Sequence, residues 1–419
     1  MSDSKKLASC DDHDPNSLNV DQARERILAA VTTVSGIERL ALRSALNRVL
    51  AQDVFSTIDV PAYTNSAMDG YAVQAGDLPQ DGAVTLKVIG TALAGAPLHQ
   101  TISSGQCVRI MTGAKMPDGA DTVIMQEHVE RDGDTIALTA GHKPGQNVRD
   151  AGEDLARGGL VFNAGQQLSP ADIGMIASMG MAEVNVYRKV RVAFFSTGDE
   201  LCSIGETLGE GQIYDSNRYT LYGMLTRLGV ELLDMGVIPD KRDAIETAFK
   251  TAAELADVLI TSGGVSVGEA DYVKETLEKI GEVNFWKIAM KPGRPLAFGR
   301  IDNCHFFGLP GNPVSAMVTF YQFVQPALQR MMGLPSAKPL YLQLTCVSDL
   351  RKAPGRVEFQ RGIMETDDNG TLVVRSTGMQ GSGMLNSMGK ANCFIILPME
   401  TARVEAGSEV TVQPFAGLV

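Results

Sequence analysis

The chain is poor in the residues from which metal and redox sites are commonly built. Six cysteines (Cys10, Cys107, Cys202, Cys304, Cys346, Cys393) are scattered over 419 residues without a C-x-x-C pair, and the five histidines are equally dispersed. Zinc sites and disulfide frameworks need ligands at characteristic spacings, so neither is expected. No run of about 18 apolar residues occurs, which leaves no candidate membrane helix. The opening "MSDSKKLASCDDHDPNS" lacks the apolar core of a signal peptide. The chain reads as cytoplasmic, with a disordered leader over 1–18. Positive charge is also in deficit. A net charge of −12 argues against a general nucleic-acid partner, whose phosphates call for basic faces. It leaves room for a small anion in a locally basic pocket.

Hydrophobic residues at 44% and charged residues at 21% are those of a soluble globular protein. The chain is too long for one core. "NVDQARERILAAV" predicts a helix capped by Asn19 with Gln22 three residues on. A second helical pattern runs through "ERLALRSALNRVLA". Over 56–154 short β-prone runs ("TLKVIGTAL", "QCVRIMTGA", "DTVIMQEHVE", "TIALTA") alternate with Gly, Pro and Asp, giving a β-rich domain. It is inserted in a helix-containing domain formed by 19–55 and 155–187, where "LSPADIGMIASMG" carries Ser169 as cap and Pro170 at the first helical position. Residues 188–335 alternate strand and helix, which predicts a mostly parallel sheet with helices on both faces. There Asp243 and Glu246 read as a capping box, and Asn312 as the cap before Pro313. Residues 336–419 are β-rich again, with an Asn369-Gly370 turn. The expected class is multidomain α/β plus β, with an N-terminal helical segment and a barrel-like C-terminal domain.

Ligands of parallel α/β sheets bind beyond the carboxyl ends of the strands. Four carboxylate-bearing loops follow strands: "STGDEL" (Asp199, Glu200), "IYDSN" (Asp215), "VIPDKRD" (Asp240) and "GEADY" (Glu269, Asp271). Gathered in one cleft, such acids suit a hard cation such as Mg²⁺, which takes carboxylates, water and phosphate oxygens. Each also has a plainer reading: Asp271 as a helix cap, Asp240 as a turn residue, Glu200 as solvated. The turn Ser262-Gly263-Gly264-Val265-Ser266 can aim backbone N–H groups at an anion, or simply be a tight turn. "FWKIAMKPGRPLAFGR" groups Lys287, Lys291 and Arg294 beside the stiff loop "GLPGNPVSA", as an oxyanion site or as a lysine-protected edge strand. "PGRVEFQRG" adds Arg356 and Arg361, "QGSGML" adds Ser382, and "PAYTNSAMDGYAV" reads locally as an Asp-Gly turn.

In this order, "NSAMDGYA", "RIMTGA", "FSTGDEL", "SGGVSVGEADY", "KPGRP" and "GLPGNPVSA" resemble the molybdopterin molybdenumtransferase family, the MoeA proteins and the homologous E domain of gephyrin. The resemblance spans roughly 19–419. It implies insertion of molybdate into adenylylated molybdopterin with release of AMP, Mg²⁺ as cofactor, and a homodimer of four-domain subunits with composite sites. It implies a metal and nucleotide role for Asp240, Asp271 and Glu200, and phosphate contacts from Ser262, Gly263, Gly264, Ser266, Pro310 and Pro313. Lys291, Arg294, Ser315, Arg361 and Ser382 would surround molybdate, with Lys287 near. Asp69, Thr112 and Asp154 would be functional positions of the inserted domain. Arg294 stands where relatives often carry lysine, and a planar guanidinium binds an oxyanion differently from an ammonium. The partners implied are the molybdopterin-adenylylating enzyme and molybdoenzyme chaperones. Two other readings are an adenylyltransferase, which leaves "NSAMDGYA" and the C-terminal segment unexplained, and a non-catalytic scaffold of the gephyrin type.

Overall fold

The computed structural model describes residues 17–263, 272–336 and 338–415. The chain forms two units, one of residues 1–38 with 187–419 and one of residues 39–186. Among the described residues no helix is long and apolar enough to cross a membrane.

The first unit is built on a six-stranded sheet ordered Glu231–Ile238, Arg191–Thr197, Val258–Ser262, Cys304–Leu309, Pro295–Ile301, Glu282–Lys287. The first four strands are parallel, Pro295–Ile301 runs against them, and Glu282–Lys287 pairs antiparallel with Pro295–Ile301. "VAFFST" and "VLITS" are uninterrupted buried runs because helices cover both faces. One face packs helices Arg242–Leu255 and Tyr272–Ile280 over Ala193, Phe195, Leu259 and Phe306. The rings of Phe195, Phe249 and Phe306 meet there in succession at 5.6 Å. Helices Ser216–Leu228 and Pro313–Thr319 lie together, against Arg191–Thr197 and Cys304–Leu309 respectively. After residue 341 a five-stranded barrel closes on itself in the order Val357–Thr366, Leu372–Ser376, Leu342–Cys346, Glu409–Pro414, Cys393–Leu397. Closure removes exposed strand edges. Gly370, at φ +80°, makes the turn expected at Asn369-Gly370.

The helix entering at Pro313 continues as a π-turn over Phe320–Val324 and as α-helix over Gln325–Met331. Pro326 lacks an N–H, so the Gln322 carbonyl loses its ordinary i+4 donor. Arg24 supplies the replacement. Its Nε donates to Gln322 O at 3.2 Å and its Nη2 to Gln322 Oε1 at 2.7 Å. Gln322 Nε2 in turn donates to Gln413 Oε1 of the barrel at 2.8 Å. One buried chain of amides and a guanidinium therefore ties the N-terminal helix, the interrupted helix and the barrel together.

The second unit holds a six-stranded sheet ordered Thr122–Met125, Gly70–Val73, Gln106–Ile110, Ala83–Ala92, Thr135–Thr139, Val129–Asp132. Alternating residues serve two cores, Ala72, Val108 and Val123 in one, Tyr71, Cys107 and Ile124 in the other. A further core joins Leu50, Val54, Phe162, Ile176 and Val186 around helix Pro170–Ser178, whose capping box is Ser169 with Asp172.

Several expectations change. The helix Val20–Ala30 forms with its Asn19–Gln22 capping box, but it belongs to the first unit, packed on Phe320–Met331. Its place follows from the donor need at Gln322. "ERLALRSALNRVLA" is not a helix: Ile37–Ala41 is a strand and Leu42–Ser44 a single 3₁₀ turn. Asn47 is left-handed at φ +62°, and Asn47 N and Leu50 N donate to Leu168 O and Gln166 O instead of within a helix. The helix expected from Asp243 begins at Arg242 with no side-chain cap, and Glu246 pairs with Lys250 at 2.6 Å. Asn312 occupies the cap position without a side-chain hydrogen bond. Leu18, within the expected leader, bonds through its N–H to Lys287 O at 2.9 Å.

Replacing Arg24 with alanine should leave Gln322 with a buried carbonyl and amide oxygen unpaired. The expected loss is about 1–3 kcal/mol in urea denaturation. A loss under about 0.5 kcal/mol, the size of an ordinary surface change, would show that the π-turn does not need this donor.

Candidate functional site

The carboxyl ends of strands Arg191–Thr197, Val258–Ser262 and Cys304–Leu309 open on a cleft of about 80 Å³ lined by Ser196, Thr197, Glu200, Asp215, Asn217, Ser262, Gly263, Gly311 and Pro313. Gly263 has φ +92°, and a Cβ there would lie 2.8 Å from Thr197 O. Only glycine lets the two strand ends converge so closely. Asn217 bridges the cleft floor, its Nδ2 donating to Ser262 Oγ at 2.8 Å and to Gly311 O at 2.7 Å. Because both acceptors require the amide nitrogen, its Oδ1 faces away. That oxygen and Thr197 Oγ1 are buried with no hydrogen-bond partner among the described residues. Buried polar atoms in native proteins are almost always paired, so the cleft suits a ligand or waters carrying donors.

Asp215 is a structural member of this floor. It is 2% exposed, caps helix Ser216–Leu228 by accepting from Arg218 N, and accepts from Ser196 Oγ at 3.1 Å. Its Oδ2 lies 3.4 Å from Arg218 Nε, an ion pair not aligned as a hydrogen bond. Arg218 also reaches both oxygens of Asp234 at 3.2 Å.

Three acids of the strand-end loops act on one another. Burial, and then the charges of Asp199 and Glu200, push the Asp240 carboxyl above its ordinary range. The Glu200 carboxylate folds back over Gly198, where a Cβ would lie 2.5 Å from it. No trio of metal-ligating side chains is preassembled among the described residues. Gly264, Ser266, Glu269 and Asp271 lie outside those residues.

A second set of elements, bearing basic residues, meets at the start of helix Pro313–Thr319. Gly293, at φ +97°, sits where a Cβ would be 2.6 Å from Thr319 Oγ1 and 3.5 Å from Ser315 O. This presses the Lys291–Arg294 loop onto the helix. Val314 N donates to Ser382 O at 3.1 Å, which holds the 381–383 turn to the same helix start. Arg361 joins from the barrel, donating through Nη2 to Gly381 O at 3.1 Å and through Nε to Ser387 Oγ at 3.0 Å. It is 1% exposed, and burial pulls its guanidinium down to about 10 against the opposing charge of Glu358. Lys291 faces Glu358 at 3.6 Å. Ser315 is buried and Ser382 half-buried. Pro310 is buried behind this loop, and Lys287 is exposed at the end of the edge strand.

In the second unit Asp69 Oδ1 accepts from Thr112 N at 2.8 Å and from Thr112 Oγ1 at 2.7 Å. These two donors, backbone first, hold the Asp69 carboxyl below its ordinary value. The pair spans 43 residues of sequence, so "NSAMDGYA" is more than a local turn. Asp154 is exposed, its N–H donating to Val60 O.

Sequence reading passed over Asn217, Thr197 and Glu358. The "DSN" run carried a signal for Asn217, since a polar residue two after a helix cap lies beside the strand ends. Glu358 carried none, because its burial depends on a strand pairing 67 residues away.

A raised folded pKa means that ionising Asp240 costs stability, present as pH rises through its pKa and absent below the unfolded value. Asp240→Asn should therefore melt higher than wild type at pH 8 with chelator. Asp240 is half-buried, and solvent screening of the remainder keeps the gain to about 1 kcal/mol or less. The gain should shrink as pH falls toward 4 and vanish only below the ordinary carboxyl value of 3.8, and Mg²⁺ should stabilise wild type more than the variant. An equal or lower melting temperature for the variant at pH 8 would contradict the mutual repulsion.

Three family models match in order: the MoeA N-terminal region (domain I and II) at residues 18–180, a probable molybdopterin binding domain at 193–330, and the MoeA C-terminal region (domain IV) at 343–415. The chain is 48% identical over 404 residues to a molybdopterin molybdenumtransferase of Haemophilus influenzae, covering 96% of this chain and 100% of that one. It is 34% identical over 447 residues to gephyrin of Dictyostelium discoideum, covering 94% of this chain and 62% of gephyrin. A crystal structure of the molybdopterin biosynthesis moeA protein from Pyrococcus horikoshii matches with a TM-score of 0.82 at 30% identity, over 95% of this chain and 100% of that one. With all three regions present in order and near-complete overlap with the bacterial relative, the chain belongs to the molybdopterin molybdenumtransferase family.

Proposed function

We propose that the protein inserts molybdate into adenylylated molybdopterin and releases AMP, with Mg²⁺ as cofactor. The observation that carries the reading is the placement of a strand-end acid cleft and a set of elements bearing basic residues at one helix start, residues 311–315. The cleft would hold the pterin nucleotide. Asn217 Oδ1 and Thr197 Oγ1 offer acceptors to its N–H or O–H groups, and the backbone at Ser262–Gly263 approaches its phosphates. Asp271, Gly264 and Ser266 join this reading through their sequence positions alone.

Asp240 fits a hard cation, because burial and then the charges of Asp199 and Glu200 raise its pKa, and such an ion would relieve both. When bound, Mg²⁺ offsets phosphate charge at the anhydride. Lys291, Arg294, Arg361, Ser315 and Ser382 would hold the molybdate dianion. Their role is to overcome its repulsion from the phosphates and to orient it toward the dithiolene sulfurs. The buried Arg361 already spends two donors on Gly381 and Ser387, which fixes its plane. In the second unit the Asp69–Thr112 pair is a rigid element for the composite site of a homodimer.

Single-turnover AMP release from adenylylated molybdopterin, with and without molybdate, tests the reading. Molybdate should accelerate release by wild type. Arg361→Ala and Asp271→Asn should each cut the accelerated rate by at least about 100-fold, the scale of losing one electrostatic element. Rapid release without molybdate would point to nucleotide hydrolysis. Formation of the adenylylated compound from ATP would favour the adenylyltransferase reading, and no release at all would favour a scaffold.

For the dimer, mixing inactive Asp69→Ala and Asp271→Asn chains should restore roughly a quarter of wild-type activity per chain if each site draws on both subunits. No recovery, with exchange verified by mass spectrometry, would sink the composite site.

A further inference from the structure

Beside the proposed oxyanion pocket lies one carboxylate that the proposed reaction does not use, Glu358. Met290–Lys291 pairs in parallel with Val357–Glu358, which brings Glu358 beside Lys291. The Glu358 side chain is 5% exposed and that of Lys291 42%, so the carboxylate forms the inner side of the pair. Glu358 Oε1 accepts from Gln360 Nε2 at 3.2 Å, while Oε2 lies 3.6 Å from Lys291 Nζ. Arg361 and Lys352 also lie within reach of its charge. Lys352 itself is occupied by the carbonyls of Pro398, Met399 and Thr401, at 2.8, 3.2 and 3.0 Å. A buried carboxylate is costly unless cations compensate it, and here they do so from several sides.

At 3.6 Å the Lys291 contact is Coulombic and not a hydrogen bond. The ammonium is drawn to Glu358 without being tied to it. A tetrahedral dianion entering the pocket would be attracted by Lys291 and Arg361 and repelled by Glu358. We propose that Glu358 is a positioning counterion that competes with the oxyanion for Lys291, keeping the cations together in the oxyanion-free protein and making oxyanion capture reversible. The inference rests on the oxyanion pocket proposed above and adds a residue whose effect has the opposite sign to that of the other pocket members.

The sign is what the experiment reads. Calorimetric titration of the full chain with sodium molybdate should give roughly tenfold tighter binding for Glu358→Gln, although that variant melts lower. Glu358→Asp keeps the charge and should bind within about twofold of wild type. Lys291→Met should bind more weakly. Adding Glu358→Gln to Lys291→Met removes both charges of the pair, a change that folded proteins tolerate better than losing one. With no ammonium left to compete for, the double variant should gain much less than tenfold over Lys291→Met alone. A merely structural Glu358 predicts weaker binding on its removal. Unchanged or weaker binding for Glu358→Gln with Lys291 present, or an equal gain without Lys291, overturns the proposal while leaving the pocket standing. A wild-type protein that takes up no molybdate removes the pocket and this inference together.

Discussion

The start of the helix at Pro313 is the constraint on which the rest depends. Gly311 and Pro313 face the acid cleft, whereas Val314 and Ser315 meet the 381–383 turn and the Lys291–Arg294 loop. One short stretch is thus shared by the acid cleft and the proposed oxyanion pocket. Its position is fixed further along the same helix. Pro326 opens the hydrogen-bond ladder, and Arg24 and Gln413 close it from the N-terminal helix and the barrel. A proline that would weaken an isolated helix here recruits two other parts of the chain to hold it.

Each pocket also carries charge that it does not balance alone. Asp199, Glu200 and Asp240 repel one another at the strand ends. Arg361 is buried deeply enough to lower its pKa to about 10. At an effective dielectric of about 20, unit charges 4 Å apart interact by about 4 kcal/mol, comparable with a large part of a domain's stability. Such arrangements persist where a ligand of complementary charge repays them, which is why both pockets read as binding sites. Glu358 is the partial exception, an internal compensation placed among the cations.

The sheet was legible because strands buried on both faces leave nearly continuous apolar runs, as in "VAFFS" and "VLI". The helix at Val20–Ala30 was legible from Asn19 and Gln22, whose capping box needs only local residues. "ERLALRSALNRVLA" failed for the opposite reason. Its apolar spacing suits a helix, but its N–H groups find better partners at Gln166 and Leu168. The packing of Val20–Ala30 in the first unit was hidden because it answers a carbonyl left unpaired near residue 326. Motif order brought the cations and acids into view as candidates. Asn217 and Glu358 were missed since each acquires its meaning from residues far away in sequence, Gly311 for one and Lys291 for the other.

The central claim is that an oxyanion sits on the basic side of the shared stretch. Crystals soaked with tungstate, a heavy isostere of molybdate, would locate it by anomalous scattering. The account predicts one peak with oxygens at about 2.7–3.2 Å from Lys291 Nζ, Arg361 and the hydroxyls of Ser315 and Ser382. A peak in the acid cleft instead, or density confined to surface lysines, would contradict it.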